Sequence, residues 1–152
     1  MNDWANEIRL GRATIDQIVD LRHAILRQGL PRESAIFPGD DRADARHYAA
    51  FVKDAPVCCL TLHVSQWEGQ AAWQLRGMAT ASDWQDRGIG NALMDWMEGE
   101  LRNDSPAPRL LWCNARVPAK RFYEKRGWRV VSEQFDIPTA GPHVRMTKRL
   151  RD

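Results

Sequence analysis

No segment of this 152-residue chain approaches the ~20 consecutive apolar residues that a membrane-spanning helix requires, so no membrane partner is expected. The first residues, Met1-Asn2-Asp3-Trp4-Ala5-Asn6-Glu7, lack the positive-then-apolar layout of a secretory leader, and the expectation is a cytoplasmic protein. An excess of one charge is also missing. Lys and Arg number 22 against 20 Asp and Glu, and a net charge of +2 gives little long-range pull toward nucleic acid. Cysteine is scarce and odd in number, at three residues. Cys58 and Cys59 are adjacent in an apolar run and so point to opposite faces of a strand, while Cys113 lies in a second apolar run. That pattern reads as reduced core thiols rather than a disulfide frame. A nucleophilic role for Cys113, as in a hydrolase, would need an activating histidine, and none adjoins it in sequence. Internal repeats and low-complexity stretches are absent, and no metal site is expected.

What is present is a globular composition, 43% hydrophobic and 28% charged with seven tryptophans. Its length suits one domain over 1–152 that buries about 68–70% of its unfolded surface. Residues 7–12 alternate like a strand. Thr14 is placed to cap a helix carrying Ile15, Ile18, Val19, Arg22, Ile25 and Leu26 at helical spacing, which ends near Gly29-Leu30-Pro31. Residues 32–46 read as a long charged loop or a loop with a short helix, followed by strands over 47–52 and 56–64. A strand over 72–79 leads into a helix over 88–102, then come a strand over 109–114 and a short helix over 119–126 closed by Gly127. The chain finishes on a strand pair, 128–135 and 143–150.

The segment from Leu75 to Met94 holds the most chemistry. A strand, a polar loop with Gly88 and Gly90, and the first turn of an amphipathic helix make an anion site, because a helix N-terminus leaves main-chain N–H groups unpaired and its dipole favours negative charge. A dinucleotide fingerprint would need a third glycine where Leu93 stands, and a P-loop would need Gly-Lys-Ser/Thr where Gly90-Asn91-Ala92 stands. Gly88 and Gly90 could also serve only a tight strand-to-helix turn.

Gln85-Asp86-Arg87-Gly88-Ile89-Gly90 resembles the Q/R-x-x-G-x-G/A signature of the GCN5-related N-acetyltransferase (GNAT) superfamily. Further on, Asn114 to Trp128, with Ala119, Phe122-Tyr123-Glu124-Lys125 and Gly127, resembles that family's second signature, with Trp128 in place of the usual Phe. A softer likeness is to ElaA-like bacterial members, through Phe37-Pro38-Gly39-Asp40-Asp41 followed by His47 and through Gly141-Pro142-His143-Val144-Arg145-Met146.

The resemblance implies an α/β (α+β) GNAT fold: a mixed, mostly antiparallel sheet of about six or seven strands, about four helices, and a splayed parallel strand pair that holds the cofactor. It implies acetyl-CoA as donor and a primary amine of a small molecule or peptide as acceptor. The donor-binding residues it indicates are Met78, Ala79, Thr80, Gln85, Asp86, Arg87, Gly88, Ile89, Gly90, Asn91, Asn114 and Phe122. Tyr123 is the expected proton donor to the leaving thiolate, with plain packing as its alternative. His47 is the candidate base, having an unperturbed pKa near ~6.5, with His143, Glu33 and a relayed water in competition. The alternative function is a non-catalytic acyl-CoA sensor with the same fold. Seven tryptophans leave room for an apolar homodimer face.

Overall fold

The computed structural model describes residues 3–151. Its strands are β1 (Ile8–Ala13), β2 (Arg46–Val52), β3 (Ala55–Trp67), β4 (Gln70–Thr80), β5 (Leu110–Arg116), β6 (Arg129–Val130), β7 (Phe135–Ile137) and β8 (Gly141–Arg149). The helices are α1 (Ile15–Leu26), α2 (Ile89–Asn103) and α3 (Lys120–Lys125), with single 3-10 turns at Arg32–Ala35, Ser82–Trp84 and Val117–Ala119. One sheet runs in the order β1-β2-β3-β4-β5-β8-β6, with β7 also on β8, and every pairing is antiparallel except β4 with β5.

Local chemistry explains the ends of α1. Thr14 Oγ1 accepts from Gln17 N at 3.3 Å while Gln17 Oε1 accepts from Thr14 N at 2.9 Å, a capping box that satisfies donors of the first turn. Past Arg27, Gly29 adopts φ +84°, which a side chain would resist. Helices α1 and α2 cover opposite faces of the sheet. Ile18 of α1 packs with Ala49, Phe51, Cys59 and Ala79. Leu93, Met94, Met97 and Leu101 of α2 pack with Tyr48, Cys58, Trp73, Leu111 and Trp128 in a larger core. The neighbouring cysteines therefore do divide between the two faces.

The final strand pair differs from the alternation reading. Residues 128–135 split into β6 and β7 because the register on β8 shifts: Val130 faces Met146, but Phe135 faces His143. Between them Arg145 N donates to Ser132 Oγ at 2.8 Å, so a hydroxyl replaces a carbonyl in the ladder. A second irregularity lies in β4. Cys59 faces Ala79 and Thr61 faces Arg76, so Gly77 and Met78 together oppose Leu60 in a β-bulge, with Gly77 at φ +64°.

Candidate active site

The parallel β4–β5 pairing lasts only from Trp73–Leu75 against Leu111–Cys113. Beyond it β4 follows β3 through its bulge and β5 follows β8 as far as Arg116 opposite His143, so the two strands part. A cavity of about 200 Å³ sits in that gap, lined by Arg76, Gly77 and Met78 on one side and Asn114, Ala115 and Arg116 on the other. Phe37, Tyr123 and His143 also line it.

A second cavity of about 560 Å³ opens toward the start of α2, along Met78–Thr80, Gln85, Asp86, Gly88–Asn91 and Phe122. Gly88 caps α2 in the left-handed region at φ +85°, and no side chain caps the first turn. The N–H groups of Ile89, Gly90 and Asn91 precede the first i→i−4 bond, Ala92 N to Gly88 O at 3.1 Å, and remain free for an anion. No acidic residue occupies that first turn. Gly90 answers to packing as well, since a Cβ there would sit 3.2 Å from Met78 Cε. The loop is braced by Gln85 Nε2, which donates to Thr80 O at 3.0 Å, and by Trp4 Nε1, which donates to Arg87 O at 2.7 Å.

Met78, Ala119 and Tyr123 line both cavities, so the two spaces meet there. The Tyr123 ring is wedged edge-on between Phe122 and Trp128, and among the described residues its hydroxyl has only the thioether sulfur of Met78 as partner, at 3.9 Å. Burial, reinforced by Cys113 and Cys58, raises its pKa well above the usual phenol value and keeps it protonated.

His143 is 4% exposed and its Nδ1 lies 2.7 Å from Gly141 O. A carbonyl oxygen only accepts, so Nδ1 carries a hydrogen; Nε2 has no hydrogen-bond partner among the described residues and is the nitrogen whose lone pair is free in the neutral tautomer. His47, by contrast, does not line either cavity. Its Nε2 donates to Asp40 O at 2.9 Å and its Nδ1 meets Thr61 Oγ1 at 2.8 Å, while burial lowers its pKa. Both nitrogens are engaged in holding a buried Arg22–Asp40 pair. Glu33 stands exposed on the 3-10 turn Arg32–Ala35.

Of the donor-site expectations, Met78, Ala79, Thr80, Gln85, Asp86, Gly88, Ile89, Gly90, Asn91 and Phe122 line the α2 cavity together. Arg87 does not: its guanidinium lies over the Trp84 ring at 4.2 Å and pairs with Asp3 at 3.1 Å. Asn114 lines the inner cavity instead, where its buried Oδ1 has no hydrogen-bond partner among the described residues, and it does not cap the following turn, whose N-cap is Arg116. Cys113 also borders that cavity, but burial raises its pKa and makes it a poor nucleophile.

Sequence reading missed the device beneath the bulge. Arg22 is fully buried, with Nη1 donating to Asp40 Oδ2 at 2.6 Å and Ala35 O at 2.8 Å, and Nη2 to Thr61 Oγ1 at 2.7 Å. A Cβ on Gly77 would stand 2.5 Å from its Nε. The available signal was an arginine inside the apolar stripe of α1 and a glycine inside a strand.

A family model described as an acetyltransferase (GNAT) domain matches residues 40–150. The chain is 31% identical over 142 residues to an uncharacterized N-acetyltransferase, YitI, of Bacillus subtilis (strain 168), covering 91% of this chain and 93% of that protein. Among solved structures, Escherichia coli ElaA is similar with a TM-score of 0.77 at 18% identity, over 93% of this chain and 99% of that one. An aminoglycoside 6'-N-acetyltransferase complexed with coenzyme A is similar with a TM-score of 0.72 at 16% identity, over 93% and 96%.

Proposed function

The chain belongs to the GNAT acetyltransferase family, and from that premise we propose that it transfers an acetyl group from acetyl-CoA to the primary amine of a small molecule or peptide. The observation that carries this reading is the junction at Met78, Ala119 and Tyr123, where a groove ending in free main-chain donors meets the cavity lined by His143.

The residues suit the donor. Diphosphate oxygens are multiple acceptors, and the unpaired N–H groups of Ile89 to Asn91 converge without a side chain at Gly88 or Gly90 to obstruct them. Main-chain groups of Met78 to Thr80 border the same groove and serve the amide-bearing arm of the donor. The acceptor arrives as an ammonium and loses a proton to Nε2 of His143, and its nitrogen attacks the acetyl carbon. As the carbon–sulfur bond breaks, Tyr123 gives its proton to the sulfur, and the proton shed by the new amide nitrogen returns through water to the phenolate.

Calorimetric titration with acetyl-CoA and thiol release with a panel of amines test this reading. Asn91→Glu places a carboxylate at the positive end of α2; it leaves thermal stability unchanged or raised while weakening acetyl-CoA binding. Tyr123→Phe lowers kcat by about 10²–10⁴-fold with acetyl-CoA affinity preserved. A folded protein that does not bind acetyl-CoA refutes the proposal; binding without thiol release across amines, amino acids and peptides makes it an acyl-CoA sensor.

A further inference from the structure

The inner cavity is lined by three arginines and no carboxylate: Arg27 from the end of α1, Arg76 from β4 and Arg116 from the end of β5. Their charges are poorly answered. Arg27 Nη1 and Arg116 Nη2 both donate to one carbonyl oxygen, that of Leu26, at 3.1 and 3.4 Å. Arg76 has no hydrogen-bond partner among the described residues; its guanidinium rests 4.4 Å from the centre of the Phe37 ring. The same ring holds Arg27 at 5.2 Å and Arg22 at 4.1 Å. Arg22 is neutralised by Asp40, the one carboxylate in the group, and Asp40 does not line the cavity.

Burial lowers the pKa of Arg27, and the neighbouring Arg116 and Arg22 lower it further; burial likewise dominates at Arg76, with Asp40 opposing and Arg22 and Arg27 adding to it. Three half-buried guanidiniums facing a cavity without a counterion form an incomplete ionic arrangement, because cations withdrawn from water are stable only when an anion meets them. The planar forks of arginine match the paired oxygens of a carboxylate or phosphate. The donor does not supply that anion here, since its phosphates belong at the start of α2 and its thioester end is uncharged.

Resting on the transferase reading, we propose that the acceptor is a small primary amine whose far end carries an oxyanion, gripped by Arg27, Arg76 and Arg116 while the amine faces His143 and Tyr123. The volume of about 200 Å³ suits a compact molecule, being smaller than the ~300–1,000 Å³ range of pockets that take drug-sized ligands. A polycationic amine meets like charge and is rejected.

Calorimetric titration in the presence of CoA, with amines of matched length, tests the proposal without requiring turnover. The probes are 4-aminobutyrate, 1-aminobutane, 1,4-diaminobutane and 2-aminoethyl phosphate. 4-Aminobutyrate binds at least about 10-fold tighter than 1-aminobutane, and 1,4-diaminobutane weakest. The order of 4-aminobutyrate and 2-aminoethyl phosphate identifies the oxyanion as carboxylate or phosphate. Arg27→Gln, Arg76→Gln and Arg116→Gln each erode the advantage of the anionic amines over 1-aminobutane and leave the affinity for CoA unchanged. Equal binding of the neutral and anionic amines, preference for the diamine, or binding of none of the four overturns the proposal. Failure of the transferase reading shows separately, as absence of CoA binding or of thiol release from acetyl-CoA.

Discussion

Replacing Asp40 by asparagine keeps the shape of the side chain and removes the one carboxylate paired with Arg22 among the described residues. In the folded chain Asp40 Oδ2 accepts from Arg22 Nη1 at 2.6 Å and from Phe37 N at 2.6 Å, and Oδ1 lies 2.9 Å from His63 Nε2. Both members of the Arg22–Asp40 pair are fully buried as side chains. Leaving one charge of such a pair uncompensated costs roughly 3–5 kcal/mol. At about 2–4 °C per kcal/mol for a domain of this size, the melting temperature falls by about 6–20 °C. The pH dependence has a defined sign. Burial by itself would raise the Asp40 carboxyl pKa, but the hydrogen bonds from His63 and Arg22 outweigh it and hold the group well below the usual carboxylate range. A carboxyl whose folded pKa is depressed contributes stability that is present above its unfolded value, ~3.9, and is lost as pH falls below it. The wild type therefore loses stability on acidification through that window more steeply than Asp40→Asn. Chemical denaturation at neutral and acid pH reads both effects. The exposed pair Arg32–Asp20 supplies the control, since Asp20→Asn should leave stability unchanged. An Asp40→Asn protein within about 1 kcal/mol of wild type, with parallel acid profiles, would refute the reasoning.

Gly77→Ala inserts a methyl 2.5 Å from Arg22 Nε at a residue with φ +64°, so both the bulge and the guanidinium must shift; a loss of about 1–3 kcal/mol is expected, with a larger loss of acetyl transfer than of acetyl-CoA affinity, measured by denaturation and calorimetry. All three thiols are buried and held protonated, Cys58 with a pKa pushed up to about 11 and Cys59 to about 12 by burial, so iodoacetamide at pH 8 should label them slowly in the native protein and fully in denaturant. Rapid native labelling at Cys113 with loss of activity would contradict that account.

Features with a local cause were legible in the sequence. The Thr14 cap, the Gly29 stop, the apolar stripe of α2 and the division of Cys58 from Cys59 follow from propensity and periodicity. The loop at the start of α2 was legible because its residues are contiguous and its turn and uncapped N–H groups follow from Gly88 and Gly90. The rest was hidden by being non-local. His47 and His143 look alike as sequence; only the pairing of β2 with β3 commits His47 to Thr61, and only the pairing of β5 with β8 carries His143 to the cleft. Arg27, Arg76 and Arg116 come from three elements and carry no shared motif. The break between β6 and β7 turns on one serine hydroxyl replacing a carbonyl, which alternation cannot express.

The parting of β4 from β5 has a bearing on how ligand and protein hold each other. A sheet normally spends its inner main-chain groups on its own cohesion, yet here the parallel ladder stops after Leu75 and Cys113 while both strands run on. The architecture is a wall with rungs left out of its middle, and an extended, amide-bearing molecule laid along β4 acts as the absent rung. Under the proposed reading the donor is then a temporary part of the scaffold: a folded state that alone binds it gains about 2.7 kcal/mol at a hundred times its dissociation constant. Each release of product would return the middle of the sheet to its unfinished form.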